Sequence, residues 1–460
     1  MPLVDSELDY DRLCKIIDSK KARIHFIGIG GVSVYSLARF VLGRNRSSIS
    51  GSDVQESSRT AKLSELGAKI FIGHNADNVN GANLVVYTRA IKDDNPELLA
   101  ARRFGIPTVS RAYLLGAVML GYKSRIGVSG THGKSTTVAM LDAIFTSAGK
   151  DPTVFSGSDL PSGEPIKVAG RQTFIYEACE YKDSFLRFLP TAAVALNLEY
   201  DHSDYFPDMR ALRESFVKAL SLANWCVLNY DDENLSKISR KLKCDVITFG
   251  QGEEADYRYK ITGFHDGGYD FTLYSEKGKI GSFRLNVPGV FNVSNAVAAI
   301  VVALECGITS DAIATGIASF SGIARRLEYI GDRYGRRVFY DYAHHPTEIR
   351  YVINTVRMLY DDSVTVIFKP HTFSRTKSLW DSFISSLGIA DYSVLLDVYP
   401  AREEAIIGVN SERLARAIGA RAVYLTERDI LSHIDKNTYG AIIIMGAGDM
   451  ENVKKLILNT

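Results

Sequence analysis

The sequence predicts an α/β protein of about three domains built on parallel sheets, and three observations carry that expectation. The first is length: 460 residues, at roughly 150 per domain. The second is an alternation of strand-like and helix-like stretches along most of the chain. The third is a glycine-bearing turn between a strand and a helix at two places, around Gly28 and around Gly130. Phosphate-binding turns in such sheets take this form.

In chain order, Ala22 to Ile29 reads as a strand and Val34 to Leu42 as a helix, with further strands at Lys69 to Ile72 and Leu84 to Thr88. A second unit begins near Lys123. Arg125 to Ser129 reads as a buried strand, Gly130 to Lys134 as a turn and Ser135 to Ala148 as a helix. From Asp256 to Leu285, aromatic and polar residues alternate between glycines, which predicts antiparallel hairpins within or beside that unit. Phe291 to Leu304 reads as a helix. A third unit starts near Arg326, with strands at Val338 to Tyr340, Val364 to Phe368, Ser393 to Leu396 and Ala441 to Met445.

Composition narrows the function classes. Hydrophobic residues are 46% and charged residues 23%, the balance of an ordinary globular protein. Lys and Arg total 54 against 53 Asp and Glu, which argues against bulk binding of nucleic acid or membrane surface. Cys14, Cys179, Cys226, Cys244 and Cys306 are scattered, odd in number and free of C-x-x-C spacing, so reduced thiols and a cytoplasmic location are expected. Met1 to Lys21 carries Asp5, Glu7, Asp9 and Asp11 without an apolar core, unlike a signal peptide. The longest apolar runs are too short to span a bilayer.

Four groups of residues can carry chemistry. Gly130-Thr131-His132-Gly133-Lys134-Ser135-Thr136 supplies what a phosphate needs: backbone N–H donors at a helix start, a compact cation and a hydroxyl for magnesium. Val128 stands where the usual loop has its first glycine, so this is a shorter variant; the plain alternative is a strand-to-helix turn with a solvated lysine. Gly28, Gly30 and Gly31, with Ser33 in place of a third glycine and Asp53 about 20 positions on, resemble a dinucleotide fingerprint. NAD and a UDP-type pyrophosphate fit these residues equally well. Glu177, Glu180 and the run Asp201-His202-Ser203-Asp204 stand near expected strand ends, where ligands bind in open sheets and oxygen ligands suit magnesium. Taken singly, such carboxylates are as often solvated surface groups. In the third unit, Asp341-Tyr342-Ala343-His344-His345-Pro346-Thr347-Glu348 and Lys369-Pro370-His371-Thr372-Phe373-Ser374-Arg375 follow apolar strands. Adjacent histidines seldom converge on one ion, so hydrogen bonding to an anionic substrate is favoured, with Arg375 as a carboxylate partner; each histidine can equally be structural.

These pieces, in this order, together with Asn197-Leu198-Glu199-Tyr200-Asp201-His202, Gly51-Ser52-Asp53, the run from Ala90 to Glu97 and Gly446-Ala447-Gly448-Asp449, resemble the Mur ligase family along nearly the whole chain. The resemblance implies three domains: a Rossmann-like N-terminal domain over 1–121 for the UDP moiety, a central P-loop-type mononucleotide-binding domain over 122–325 for ATP and Mg2+, and a Rossmann-like C-terminal domain over 326–460 for the amino acid. It implies ATP-dependent joining of L-alanine to the lactyl carboxylate of UDP-N-acetylmuramate through an acyl phosphate, a step of peptidoglycan synthesis. By motif position, Lys134 would hold phosphates and Ser135 with Glu177 one magnesium, and His202 would help bind a second. Asn295 would read adenine beside Phe291. Gly28, Gly30, Gly31 and Asp53 would meet the nucleotide sugar. His344, His371 and Arg375 would face the reacting carboxylate and amino acid, and Arg326, Asp341 and Tyr342 would line the domain junction.

Ser33, Val34, Tyr35, Phe291, Tyr340, Ala343 and Thr372 depart from the family's pattern; none is Lys134, Glu177 or His202, so an active enzyme is expected. Three rivals remain: a sister ligase attaching a preformed murein tripeptide, an NAD-dependent oxidoreductase built on the first glycine turn, and a non-catalytic nucleotide-binding paralogue.

Overall fold

The computed structural model of the protein describes residues 8–44, 48–88, 90–360, 363–437, 440–448 and 450–458; Asp5, Glu7 and Asp449 lie outside them. Three sheets organise the chain. The first has five parallel strands in the spatial order Lys69–Ile72, Ser48–Asp53, Arg23–Ile27, Leu84–Tyr87 and Thr108–Ser110. Strand order reverses between Arg23–Ile27 and Leu84–Tyr87. The C-terminal ends of strands diverge at such a point and leave a crevice. Gly28 and Thr88 stand there, and a Cβ on Gly28 would lie 3.4 Å from the Thr88 methyl.

The second sheet has ten strands. Its parallel centre is Asp245–Gly250, Trp225–Asn229, Ala192–Ala195, Ser124–Ser129, Thr173–Glu177 and Thr153–Phe155. Ile126, Val128, Ile175 and Val194 have no exposed surface, as expected of strands covered on both faces. The aromatic segment between glycines forms Tyr257–His265, Gly268–Ser275 and Gly278–Leu285. These strands extend the same sheet rather than forming a separate layer, because Tyr257 and Arg258 pair in parallel with Phe249 and Gly250. Their inward residues Phe271, Leu273, Phe283 and Leu285 join the core around the helix Val290–Glu305. That helix buries ten of its residues, each large aliphatic side chain contributing about 1.5–3 kcal/mol.

The third sheet runs Glu328–Arg333, Arg336–Asp341, Ala441–Met445, Val364–Phe368, Tyr392–Leu395 and Ala422–Tyr424. Its first strand is antiparallel to the second and was not expected from the sequence. It lies at the edge and buries only Arg333, so it lacks the apolar run that marks an inner strand. The five cysteines carry free thiols. Among the described residues, no helix is long and apolar enough to cross a membrane.

Candidate active site

The strand Ser124–Ser129 hands over to the helix Lys134–Ser147 through Gly130 at φ +138° and Gly133 at φ +85°. A Cβ on Gly133 would strike the Asn295 side chain, so glycine here lets the turn rest against the helix Val290–Glu305. Gly133 caps its helix without a side-chain bond, which leaves first-turn N–H groups available to an anion. The turn is braced from below. Thr131 Oγ1 accepts from Glu199 N at 2.9 Å, and the Asn197 amide clasps the His132 backbone at 2.8 and 3.1 Å. Ser135 and Thr136 lie buried in the first helical turn.

Lys134 Nζ folds back on the carbonyls of Gly130 and Thr131 and donates to both Glu180 oxygens, at 3.2 and 3.3 Å. Burial works against the Glu180 carboxylate, but Lys134 and then His202 outweigh it and hold its pKa low. His202, at φ +56°, brings Nε2 within 3.6 Å of Glu180 Oε1. Glu177 is turned the other way, accepting from Ser156 Oγ at 3.0 Å and Gly157 N at 2.5 Å. Of the two carboxylates in this run, Glu180 is therefore the one that touches the lysine.

Charged groups tie the central and third sheets together. The Arg375 guanidinium grips Asp201 with two bonds, 2.8 and 3.1 Å, and donates to His371 Nδ1 at 3.1 Å. His132 Nδ1 lies 3.2 Å from Glu348 and its Nε2 3.5 Å from Glu199. Burial disfavours charge on this ring, yet the two carboxylates push its pKa up to about 9. Glu199 in turn accepts from Thr347 Oγ1 at 2.5 Å; burial opposes its charge, but His132 and Thr347 bring its pKa down to about 2. His344 donates from Nδ1 to the Tyr342 carbonyl at 3.0 Å, with Glu348 at 3.4 Å. Its ring centroid is 6.1 Å from that of His371. Burial and the Arg375 charge hold His344 down to about 3 and His371 to about 4, so both rings are neutral at pH 7.

Between these two sheets opens a cavity of about 800 Å³. Gly133 and Thr136 of the turn line it, as do Phe291, Asn295, Arg326 and Asp341. Phe291 stacks on Tyr351 of the third unit, centroids 5.2 Å apart. Burial raises the Asp341 pKa to about 6, although the carboxylate accepts from Leu327 N and Ala343 N at 2.6 and 2.7 Å. Tyr342 lies under the Arg326 guanidinium, 5.4 Å from its ring centre.

The first glycine turn is a second cluster. Gly28 N donates to Ser52 O at 2.8 Å, Gly30 N to Asp53 Oδ2 at 2.9 Å, and Gly31 begins the helix Val32–Gly43. Asp53 Oδ1 accepts from Val54 N at 2.8 Å, so one oxygen braces the glycine turn and the other caps the end of its own strand. Three groups of this site were not singled out as partners from sequence: Glu180 for Lys134, Asp201 for Arg375, and Tyr351 for Phe291. Glu348 had a readable signal. It sits three residues into the helix after His345 and accepts from His344 N and His345 N at 3.0 and 3.3 Å, the reciprocal arrangement of a helix-start carboxylate.

Models of known families match along the chain: "Mur ligase family, catalytic domain" over residues 23–123, "Mur ligase middle domain" over 128–303 and "Mur ligase, glutamate ligase domain" over 325–449. The chain belongs to the Mur ligase family. Curated family members named UDP-N-acetylmuramate–L-alanine ligase include one from Acetivibrio thermocellus, 39% identical with 96% of this chain and 97% of that protein covered. Another, from Clostridium perfringens, is 38% identical over 95% and 97%. The crystal structure of a UDP-N-acetylmuramate-alanine ligase from Thermotoga maritima superposes with a TM-score of 0.80 at 26% identity, covering 95% of this chain and 99% of that one. A murein peptide ligase from Psychrobacter arcticus shares the fold at a TM-score of 0.72 and 23% identity, over 95% and 98%. The three-sheet architecture is thus that of a Mur ligase, with Rossmann-like outer domains and a central nucleotide-binding domain.

Proposed function

We propose that this protein joins L-alanine to the lactyl carboxylate of UDP-N-acetylmuramate, converting ATP to ADP and phosphate. The observation that carries this reading is a run of contacts from Lys134 through Glu180 to His202, and from neighbouring Asp201 through Arg375 to His371. It supports a phosphate clamp at Lys134 beside groups suited to a carboxylate and an amine. The first-turn N–H groups and Lys134 would hold ATP phosphates over the cavity, with Phe291 and Asn295 at the base. Gly28, Gly30 and Gly31 would admit the UDP pyrophosphate. The sugar carboxylate attacks the γ-phosphorus, ADP leaves, and the alanine amine then displaces phosphate from the acyl carbon. Charge grows on phosphoryl and carbonyl oxygens, so the protein's work is positioning and electrostatics. His344, neutral at pH 7 with its Nδ1–H on the Tyr342 carbonyl, keeps Nε2 to accept a hydrogen bond from the amine, while neutral His371, whose Nδ1 accepts from Arg375, would donate from Nε2 to a substrate oxygen.

Oxygen donors from Ser135 and Glu180, with His202 beside them, would suit magnesium, and Glu177 would join them only by giving up Ser156 and Gly157. When bound, the ion supplies a Lewis acid for phosphate and carboxylate oxygens. Five free thiols support a reducing cytoplasm as its place. The test is phosphate release with UDP-N-acetylmuramate, ATP and, separately, L-Ala, L-Ser, Gly or murein tripeptide. Release with L-Ala is expected. Release with tripeptide alone identifies the sister ligase instead, and no release with any acceptor identifies a non-catalytic paralogue.

A further inference from the structure

The adjacent histidines of the third unit part company. His344 turns its Nδ1 to the Tyr342 carbonyl. His345, only 4% exposed, faces the phosphate loop instead, its ring centroid 4.7 Å from that of His132. Glu199 serves both rings: its Oε2 lies 3.5 Å from His132 Nε2 and 3.5 Å from His345 Nδ1. Both separations are longer than an N–H···O hydrogen bond. The Nε2 atoms of the two rings are buried without a hydrogen-bond partner among the described residues. One ligand atom from each of His132, Glu199 and His345 lies within 4.8 Å of the other two.

These distances suit a tetrahedral ion. Zinc with bonds of about 2.1 Å holds its ligands about 3.4 Å apart, close to both separations from Glu199. Two imidazoles and one carboxylate are a donor set that zinc takes in sites with an open fourth position. They are softer than the oxygens of Ser135 and Glu180, which suit magnesium. Outer partners are in place as well. Glu348 Oε1 lies 3.2 Å from His132 Nδ1, the arrangement of a carboxylate behind a metal-bound imidazole, and Thr347 Oγ1 donates to Glu199 Oε2. His132 and Glu199 are fixed relative to each other, because Asn197 clasps the backbone of one and Thr131 Oγ1 accepts from the backbone N–H of the other. Ligation through His345 Nδ1 costs one long bond, from Thr347 N at 3.3 Å. That N–H belongs to the first turn of the helix Pro346–Tyr360, where water can serve it.

We propose that His132, Glu199 and His345 form a site for one zinc-like transition-metal ion, which ties the phosphate loop of the central unit to the third unit. The ion takes the place of the proton that His132 otherwise carries between Glu199 and Glu348. Its fourth position opens to the large cavity, which His132 and Glu199 line. A filled site joins two units through one ion, so it stabilises their junction by mass action.

The test is titration of the full-length protein with Co2+, a spectroscopic stand-in for zinc, with Mg2+ in excess and no nucleotide. The visible absorption of a tetrahedral cobalt centre should saturate at one ion per chain, and added zinc should abolish it. Loss of an outer partner costs a metal site roughly 10- to 100-fold in affinity. Loss of a ligand should cost more, so His345→Asn and the isosteric Glu199→Gln should each weaken binding about 100-fold or more. Glu180→Gln, in the oxygen-donor group, should leave it unchanged. Zinc should raise the melting temperature of the wild type and not that of His345→Asn. Melting curves of the metal-free variants show which are folded, and either ligand variant decides the matter. The site is overturned by a wild type without the cobalt absorption, by absorption that survives in a folded His345→Asn or Glu199→Gln, or by absorption lost in Glu180→Gln alone.

Discussion

The two glycine turns share a local plan and differ in what faces them. Each follows a buried parallel strand and opens a helix, at Gly31 and at Gly133, without a side-chain cap. The first turn is closed by a carboxylate: Asp53 accepts from Gly30 N, and no cation lies in the loop. The second is closed by a cation, Lys134, that spans two of its own carbonyls and Glu180. An acidic brace suits a neutral ribose and leaves pyrophosphate to backbone donors. A lysine suits phosphoryl groups whose charge grows during reaction. Strand, glycine and helix start therefore mark a place for a nucleotide, while the group closing the turn decides what is done to it.

Lys134→Ala tests this contrast most severely. Loss of such a charge clamp costs on the order of 100-fold or more in rate, so phosphate release should fall by at least that factor. Affinity for UDP-N-acetylmuramate should stay within a few-fold, because the sugar is assigned to the other turn. Turnover near wild type would remove the distinction between the turns.

Phe291→Ala comes next. Base–aromatic stacking is worth about 1–3 kcal/mol, or roughly 5- to 150-fold in ATP affinity. Phe291 stacks on Tyr351, so Tyr351→Ala should loosen the same site by a smaller factor and Phe291→His should be tolerated. A sharp drop in melting temperature with unchanged ATP affinity would make Phe291 a packing residue.

Asp53→Ala releases the first turn. One net hydrogen bond is worth about 1 kcal/mol, so the KM for nucleotide sugar should rise about fivefold while that for ATP stays level. Parallel rises in both would show that the two turns are coupled.

The smallest effect concerns pH. His132 has a folded pKa of about 9, above its ordinary 6.5. Its contribution to the junction is therefore complete below pH 6.5 and lost as pH rises through about 9. Melting temperature and activity should decline over that window in the wild type and decline less in His132→Gln. Identical alkaline profiles would place the ion bridge outside the working structure.

How far the sequence reaches follows from the range of each signal. Strand and helix alternation, the glycine turns and the strand-end position of Glu177, Asp341 and Lys369 are local, and all were legible in the residues. The aromatic hairpins were legible as strands, but their attachment to the central sheet depends on Tyr257 finding Phe249. The edge strand Glu328–Arg333 was not legible, since an edge buries too little to need an apolar run. The pairings within the site were beyond reach for a different reason. Lys134 meets Glu180 across 46 residues, and Arg375 meets Asp201 across 174. Nothing in the local pattern tells Glu177 from Glu180 as the lysine's partner. That choice belongs to the turn after the strand Thr173–Glu177, which sends one carboxylate to Gly157 and the other into the phosphate loop. A sequence states which groups stand at the ends of strands; closure of the chain in three dimensions selects which of them meet.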